Sequence, residues 1–202
     1  AFIPGYFVTI SAKYRPRLVV MVKEPRPGRV KTRLGKDIGL VNAAWWYRHQ
    51  TQALLQRVTS PKWDTILAVS PDIEGLNSRV WPRHFPKWPQ GRGDLGVRMA
   101  RIFADLPPGP IVIIGSDIPD VSRNEIDRSF AALGSAQAVF GPAFDGGYWL
   151  VGLKRFKPPS RQLFRDVRWS TKFALRDSMA SMGDLRIAKV QTLRDVDTAT
   201  DL

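Results

Sequence analysis

The chain has 202 residues, 44% of them apolar, enough for one sizeable hydrophobic core and too few for two ordinary domains. Cysteine is absent, which excludes disulfides, cysteine-ligated zinc and a thiol nucleophile, and two histidines, His49 and His84, argue against an imidazole-rich metal site. The net charge is +13, of which residues 1–60 hold +9, a balance that fits a phosphorylated ligand, nucleic acid or a solvated basic surface.

Residues 1–16 lack a basic segment followed by a sustained apolar run, and no run in the chain approaches the roughly 18 apolar residues that span a bilayer. The expectation is a cytoplasmic protein with an N-terminal extension over 1–16 and one domain over 17–202. Arg17 to Val22 is a short β-branched run that reads as a buried strand. It opens into a basic loop rich in proline and glycine, and apolar spacing from Leu40 to Val58 (Val41, Ala44, Trp45, Leu54, Leu55, Val58) predicts a helix.

Thr65 to Val69 reads as a second strand, and Trp81 to Pro89 as irregular. Leu95 to Leu106 reads as a helix stopped by Pro107-Pro108-Gly109, and Pro110 to Gly115 is the clearest strand. A helix from Ser122 to Leu133 is expected, with Glu125 at the capping-box position. Strands follow at Ala136 to Phe140 and Tyr148 to Leu153, then a helix from Ser170 to Met182 and a strand near Ile187 to Val190. Strands alternating with helices imply a single three-layer α/β/α domain around a mainly parallel sheet.

Ligands of such sheets bind at the carboxyl ends of the strands, so the loops there are the places to search. In the first, from Lys23 to Arg33, Gly28 permits close backbone approach and Lys31 and Arg33 are suited to a pyrophosphate. No Walker A pattern occurs. The second, Gly115-Ser116-Asp117-Ile118-Pro119-Asp120, sets a carboxylate where a metal bridging diphosphate oxygens needs one, although such aspartates also serve as turn or cap residues. The third, Ala143-Phe144-Asp145-Gly146-Gly147-Tyr148, offers a second carboxylate or an ordinary hairpin turn. The fourth, Gln90-Gly91-Arg92-Gly93-Asp94-Leu95-Gly96, is a glycine-rich helix entry. Without Cys and with few His, any metal is a hard ion on carboxylates, Mg2+ or Mn2+.

In order, these loops resemble the bacterial glycosyltransferase-like proteins of the GT-A fold, including the arsenosugar-biosynthesis type. The resemblance is carried by Lys23-Glu24-Pro25 through Gly28-Arg29-Val30-Lys31-Thr32-Arg33-Leu34, Gly93-Asp94-Leu95-Gly96 and Gly115-Ser116-Asp117-Ile118-Pro119. It continues through Gly141-Pro142-Ala143-Phe144-Asp145-Gly146-Gly147-Tyr148 and Trp169-Ser170-Thr171 to the closing segment from Asp195 to Leu202. It implies a Rossmann-like nucleotide-diphospho-sugar transferase fold. It also implies phosphate binding by Lys23, Gly28, Lys31 and Arg33, a nucleoside-facing turn at Gly93, Asp94 and Gly96, and metal binding and catalysis at Asp117 and Asp145. Ser-Asp-x-Pro stands where many GT-A enzymes carry Asp-x-Asp.

The expectation is therefore a metal-dependent transferase that takes a nucleotide-diphospho-sugar donor to an acceptor the sequence does not name. Nucleotidyl transfer from a triphosphate to a phosphorylated acceptor is the alternative, and a nucleotide sensor or nucleic-acid binder the third.

Overall fold

The structure, a computed structural model, describes residues 14–194; most of the N-terminal extension and all of the closing segment 195–202 lie outside the described residues. β1 (Arg17–Lys23) leads through the basic loop to α1 (Leu34–Ile38) and α2 (Leu40–Val58). β2 (Asp64–Ser70), α3 (Asp72–Asn77), β3 (Lys87–Pro89) and α4 (Leu95–Asp105) follow. The second half holds β4 (Ile111–Ile114), α5 (Arg123–Ser135), β5 (Ala138–Pro142), β6 (Tyr148–Leu153), α6 (Ala174–Ala180) and β7 (Ile187–Lys189).

The strands form one sheet in the order β3-β2-β1-β4-β6-β5-β7. All run parallel except β6, which pairs antiparallel with β4 and β5. The Asp145-Gly146-Gly147 turn enforces this, because so short a connection can only join antiparallel strands.

Period-two alternation divides the core into two layers. Leu18, Val20, Leu67, Val112 and Ile114 pack with Tyr47, Leu54 and Leu55 of α2 and Ile126 of α5. Val19, Ile66, Ile111 and Ile113 face the other way, onto Met99, Ile102 and Phe103 of α4 and onto Phe164 and Met182. Each fully buried aliphatic side chain contributes about 1.5–3 kcal/mol, so helices on both faces are held by the sheet itself.

Several elements differ from expectation. β3 lies inside the stretch read as irregular; it is an edge strand of three residues, where Pro89 costs no ladder hydrogen bond. α1 and α3, of five and six residues, are too short for a periodic pattern to reveal. The helix expected over Ser170 to Met182 is helical only over Ala174–Ala180. Val41 and Trp45, expected on the buried stripe of α2, are 69% and 63% exposed; Ala44 is buried as expected, and Ala43 and Tyr47 are buried beside it. The capping box of α5 forms as its spacing predicts: the Ser122 N–H donates to the Glu125 carboxylate at 3.0 Å, and the Ser122 hydroxyl accepts from the Asn124 N–H at 3.2 Å.

Candidate functional site

A cavity of about 460 Å³ opens at the carboxyl ends of β1 and β4, between the basic loop and the start of α4. Of the residues singled out in sequence, Lys23, Lys31, Gly93, Asp94 and Asp117 line it. Its apolar wall includes Met21, Met99 and Ile113; Lys23, Lys31 and Asp117 form a charged rim at the basic loop, and Asp94 and Arg98 stand on the α4 side.

At that rim the Lys31 ammonium lies 3.1 Å from Oδ2 of Asp117. The Lys31 side chain is only 5% exposed and that of Asp117 42%. The ammonium also stands 5.9 Å from the centre of the Trp46 ring. Lys31 has φ +46°, a left-handed conformation that a non-glycine residue rarely adopts. The loop thus bends to deliver this side chain inward. Oδ1 of Asp117 is buried and has no hydrogen-bond partner, a costly state for a carboxylate oxygen unless a ligand completes it.

Tyr47 fixes this rim from beneath. Its hydroxyl accepts from the Lys23 N–H at 2.9 Å and shares a hydrogen bond with the Ser116 hydroxyl, also at 2.9 Å. One phenol thereby ties α2 to the last residue of β1 and to the residue before Asp117. Burial, reinforced by the nearby charge of Asp117, pushes the Tyr47 phenol up to about 12 against the opposing hydrogen bonds.

Gln90 plays a similar part on the other side. Its buried amide donates to the carbonyls of Ala68 at 2.7 Å and Val22 at 3.2 Å, spanning the ends of β2 and β1. Arg98 lines the cavity and is held by the Gly93 carbonyl at 2.9 Å, with donors to spare. Sequence reasoning places Gln90 and Ser116 in candidate loops and Arg98 just beyond one of them without giving any of the three a role, and it does not single out Tyr47, although Tyr47 sits three residues beyond Ala44 on the same helix face.

Four of the sequence candidates lie elsewhere. Gly28, with φ +75°, and Arg33, at the start of α1, are outside the cavity lining. Gly96 is buried at the first turn of α4, where an added Cβ would come within 2.7 Å of Trp169 and 2.8 Å of Phe164; it admits close packing and does not line this cavity. Asp94 lines the cavity and also caps α4, accepting from the Val97 N–H at 2.8 Å.

Asp145, the fourth, stands on a second cleft of about 140 Å³, lined also by Ile118, Trp169, Ser170 and Thr171. Leu95 and Tyr148 line both spaces, so the two adjoin. Asp117 and Asp145 are therefore on the walls of neighbouring cavities. Burial pushes the Tyr148 phenol up, against the opposing hydrogen bond donated by Ser178 at 3.2 Å.

No group of three or more His, Cys, Asp and Glu among the described residues could hold a metal by itself. Magnesium-type sites need no such cluster, since one or two carboxylates and the phosphates of a substrate suffice. The partnerless oxygen of Asp117 fits that pattern.

The strand order, the single antiparallel strand and a basic loop facing a carboxylate at the carboxyl ends define the class: the fold is that of the nucleotide-diphospho-sugar transferases. The similarity covers 92% of this chain and 83% of a protein of Desulfovibrio desulfuricans G20 provisionally assigned as a nucleotide-diphospho-sugar transferase, at 31% identity and TM-score 0.79. The chain belongs to the DUF2064 family, described as uncharacterized protein conserved in bacteria, whose pattern matches residues 53–171.

More distant structures share the fold alone. Rv0371c of Mycobacterium tuberculosis H37Rv, solved as a complex with manganese, has 17% identity and a TM-score of 0.53, over 94% of this chain and 96% of that one. The 4-diphosphocytidyl-2C-methyl-D-erythritol synthase of Anaerococcus prevotii DSM 20548 has 11% identity and a TM-score of 0.59, over 93% and 94%. No curated protein matches the chain. No helix of the described residues is long and apolar enough to cross a membrane.

Proposed function

We propose that this protein is a transferase that binds a nucleotide-diphospho-sugar in the 460 Å³ cavity and passes its sugar to an acceptor hydroxyl. The observation that carries the reading is the Lys31–Asp117 pair, a nearly buried cation facing a carboxylate with one bare, buried oxygen. Lys31, Lys23 and Arg98 supply positive charge for the diphosphate, and their fixed positions favour the charge that develops on the departing phosphate. Asp117 is the residue that would hold a divalent ion; when bound, such an ion neutralises diphosphate oxygens and stabilises the leaving group. The manganese complex of Rv0371c supports this assignment by fold likeness. Tyr47 and Ser116 keep Asp117 in place, and the apolar walls reduce water around the reacting groups.

The test is thermal stabilisation by UDP-, GDP-, ADP- and dTDP-sugars with and without Mn2+, since a ligand that binds only the folded state raises the melting temperature. Metal-dependent stabilisation by one of these donors supports the reading and names the base. The likeness to a diphosphocytidyl-methylerythritol synthase gives nucleotidyl transfer the second place. Stabilisation by a nucleoside triphosphate alone, with pyrophosphate released on addition of a phosphorylated acceptor, would install it instead.

A further inference from the structure

The smaller cleft limits what can enter it. Its walls are Leu95, Ile118, Tyr148 and Trp169, its polar groups come from Asp145, Ser170 and Thr171, and Asp145 is the one charged side chain on its lining. Cations occur in the segments that build it, yet they are engaged elsewhere. The guanidinium carbons of Arg168 and Arg176 and the Lys172 ammonium gather over the Phe173 ring, at 4.1, 4.8 and 5.4 Å from its centre. Arg168 is also forked onto Asp177 at 2.7 and 2.9 Å, and Arg194 lies over the exposed ring of Phe144 at 5.7 Å.

The two glycines of the turn keep the Asp145 carboxylate presented. Gly146 has φ +85°, and a Cβ there would come within 2.4 Å of the Lys172 carbonyl oxygen, so only glycine lets the turn press against the 170–174 segment. A Cβ at Gly147 would crowd Oδ1 of Asp145 at 3.1 Å. Oδ1 accepts from the Gly147 N–H at 2.8 Å, which leaves Oδ2 as the acceptor for a ligand.

We propose that this cleft is the acceptor subsite and that it takes an uncharged polyhydroxylated ring, a neutral sugar or cyclitol, in preference to a phosphorylated acceptor. The inference rests on the donor reading above. Tyr148 and Trp169 suit the C–H surfaces of such a ring, and Asp145, Ser170 and Thr171 suit its hydroxyls. A phosphate ester would bring its negative charge against Asp145 with no lining cation to offset it. In the transfer, the acceptor oxygen bonds to the anomeric carbon as the bond from that carbon to the diphosphate oxygen breaks. The electron pair leaves with the nucleoside diphosphate, and the hydroxyl proton passes to Asp145.

The experiment titrates methyl glucoside, methyl galactoside, methyl mannoside and myo-inositol, each against its phosphate ester, onto the protein loaded with nucleoside diphosphate and Mn2+. At least one neutral ligand should bind about tenfold or more tightly than its ester. Asp145→Lys should reverse that preference. Asp145→Asn retains an acceptor for the Gly147 N–H, so it should fold, bind donor as the parent does and fail in transfer. Tighter binding of the esters, no binding by any neutral ligand, or a preference indifferent to Asp145→Lys would overturn the proposal. Donor-induced thermal stabilisation, recorded in parallel, separates the two readings: its absence defeats the donor assignment, whereas its presence with the wrong acceptor preference defeats only this one.

Discussion

Replacing Tyr47 by phenylalanine keeps the buried ring and deletes one oxygen, leaving the Lys23 N–H and the Ser116 hydroxyl without the partner each meets at 2.9 Å. A buried polar group left unsatisfied costs about 1–3 kcal/mol, and with two of them a total of about 2–6 kcal/mol is expected. For a chain of this size that corresponds to a fall in Tm of roughly 4–24 °C. Because Ser116 precedes Asp117, metal-dependent donor affinity should also weaken by about tenfold, the usual scale for losing a group that orients a metal ligand.

The pH dependence is diagnostic. The Tyr47 phenol is raised from 10 to about 12, chiefly by burial. Below pH 10 it is protonated in both states and its contribution is fully present; as pH rises through the folded value, the unfolded chain ionises first and the contribution is lost. The amount at stake is roughly 3 kcal/mol. The Tyr47→Phe variant has no phenolic proton to lose at this position, so the stability gap between parent and variant should narrow from neutral pH to about pH 11, as read by urea denaturation at each pH. An unchanged Tm, or a gap constant with pH, would refute the assignment of Tyr47 as the buried tie between β1 and β4.

Asp117→Asn removes the carboxylate that faces Lys31; the stabilisation by donor and Mn2+, about 2.7 kcal/mol at a hundredfold excess over Kd, should vanish from the thermal-shift profile. Gly96→Ala sets a Cβ 2.7 Å from Trp169 and 2.8 Å from Phe164, an overpacking worth about 1–3 kcal/mol. Chemical denaturation should show that loss while donor affinity holds, since Gly96 does not line the cavity. Arg155→Ala strips a donor from the carbonyls of Phe103, Ala104 and Leu106 at the end of α4. It should cost about 1.5–3 kcal/mol, with Lys at this position recovering only part, and hydrogen exchange in the last turn of α4 should rise.

β1, β2 and β4 are legible because a strand buried on both faces must be a short run of β-branched and aliphatic residues, and little else looks like one. The same logic fails for β3, whose three residues follow one proline, end on another and carry no pattern, and for Val41 and Trp45, whose apolar spacing suggests burial that the packing gives to Ala43 and Tyr47. Position after a strand is enough to pick out Lys31 and Asp117, which the structure sets 3.1 Å apart. It cannot find Tyr47, nor the role of Gln90 within the loop it does pick out, because their significance lies in partners far along the chain: Tyr47 reaches Ser116, 69 residues away, and Gln90 reaches Val22, 68 residues away. Such contacts exist only once the sheet has brought the strand ends together. Gly96 shows the converse, a residue whose place in a suggestive motif is also explained by close packing.

The excess of positive charge shows most clearly why composition misleads. The carboxyl ends of four helices each meet a cation from outside the helix. Arg123 donates to Thr59 and Gln56 at the end of α2, Lys87 to Leu76 and Ser78 at the end of α3, Arg155 to the last turn of α4, and Lys154 to Gly134 near the end of α5. Buried Arg17 donates to the carbonyls of Pro107 and Pro108, which follow α4, and Arg57 and Arg101 serve loop carbonyls likewise. Helix carboxyl ends leave carbonyls unpaired and carry partial negative charge, so a cation satisfies both at once. These cations thus have partners inside the fold, where no external anion is required. The cations that line the main cavity are Lys23, Lys31 and Arg98, a number suited to one diphosphate and small for the row of phosphates along a nucleic acid.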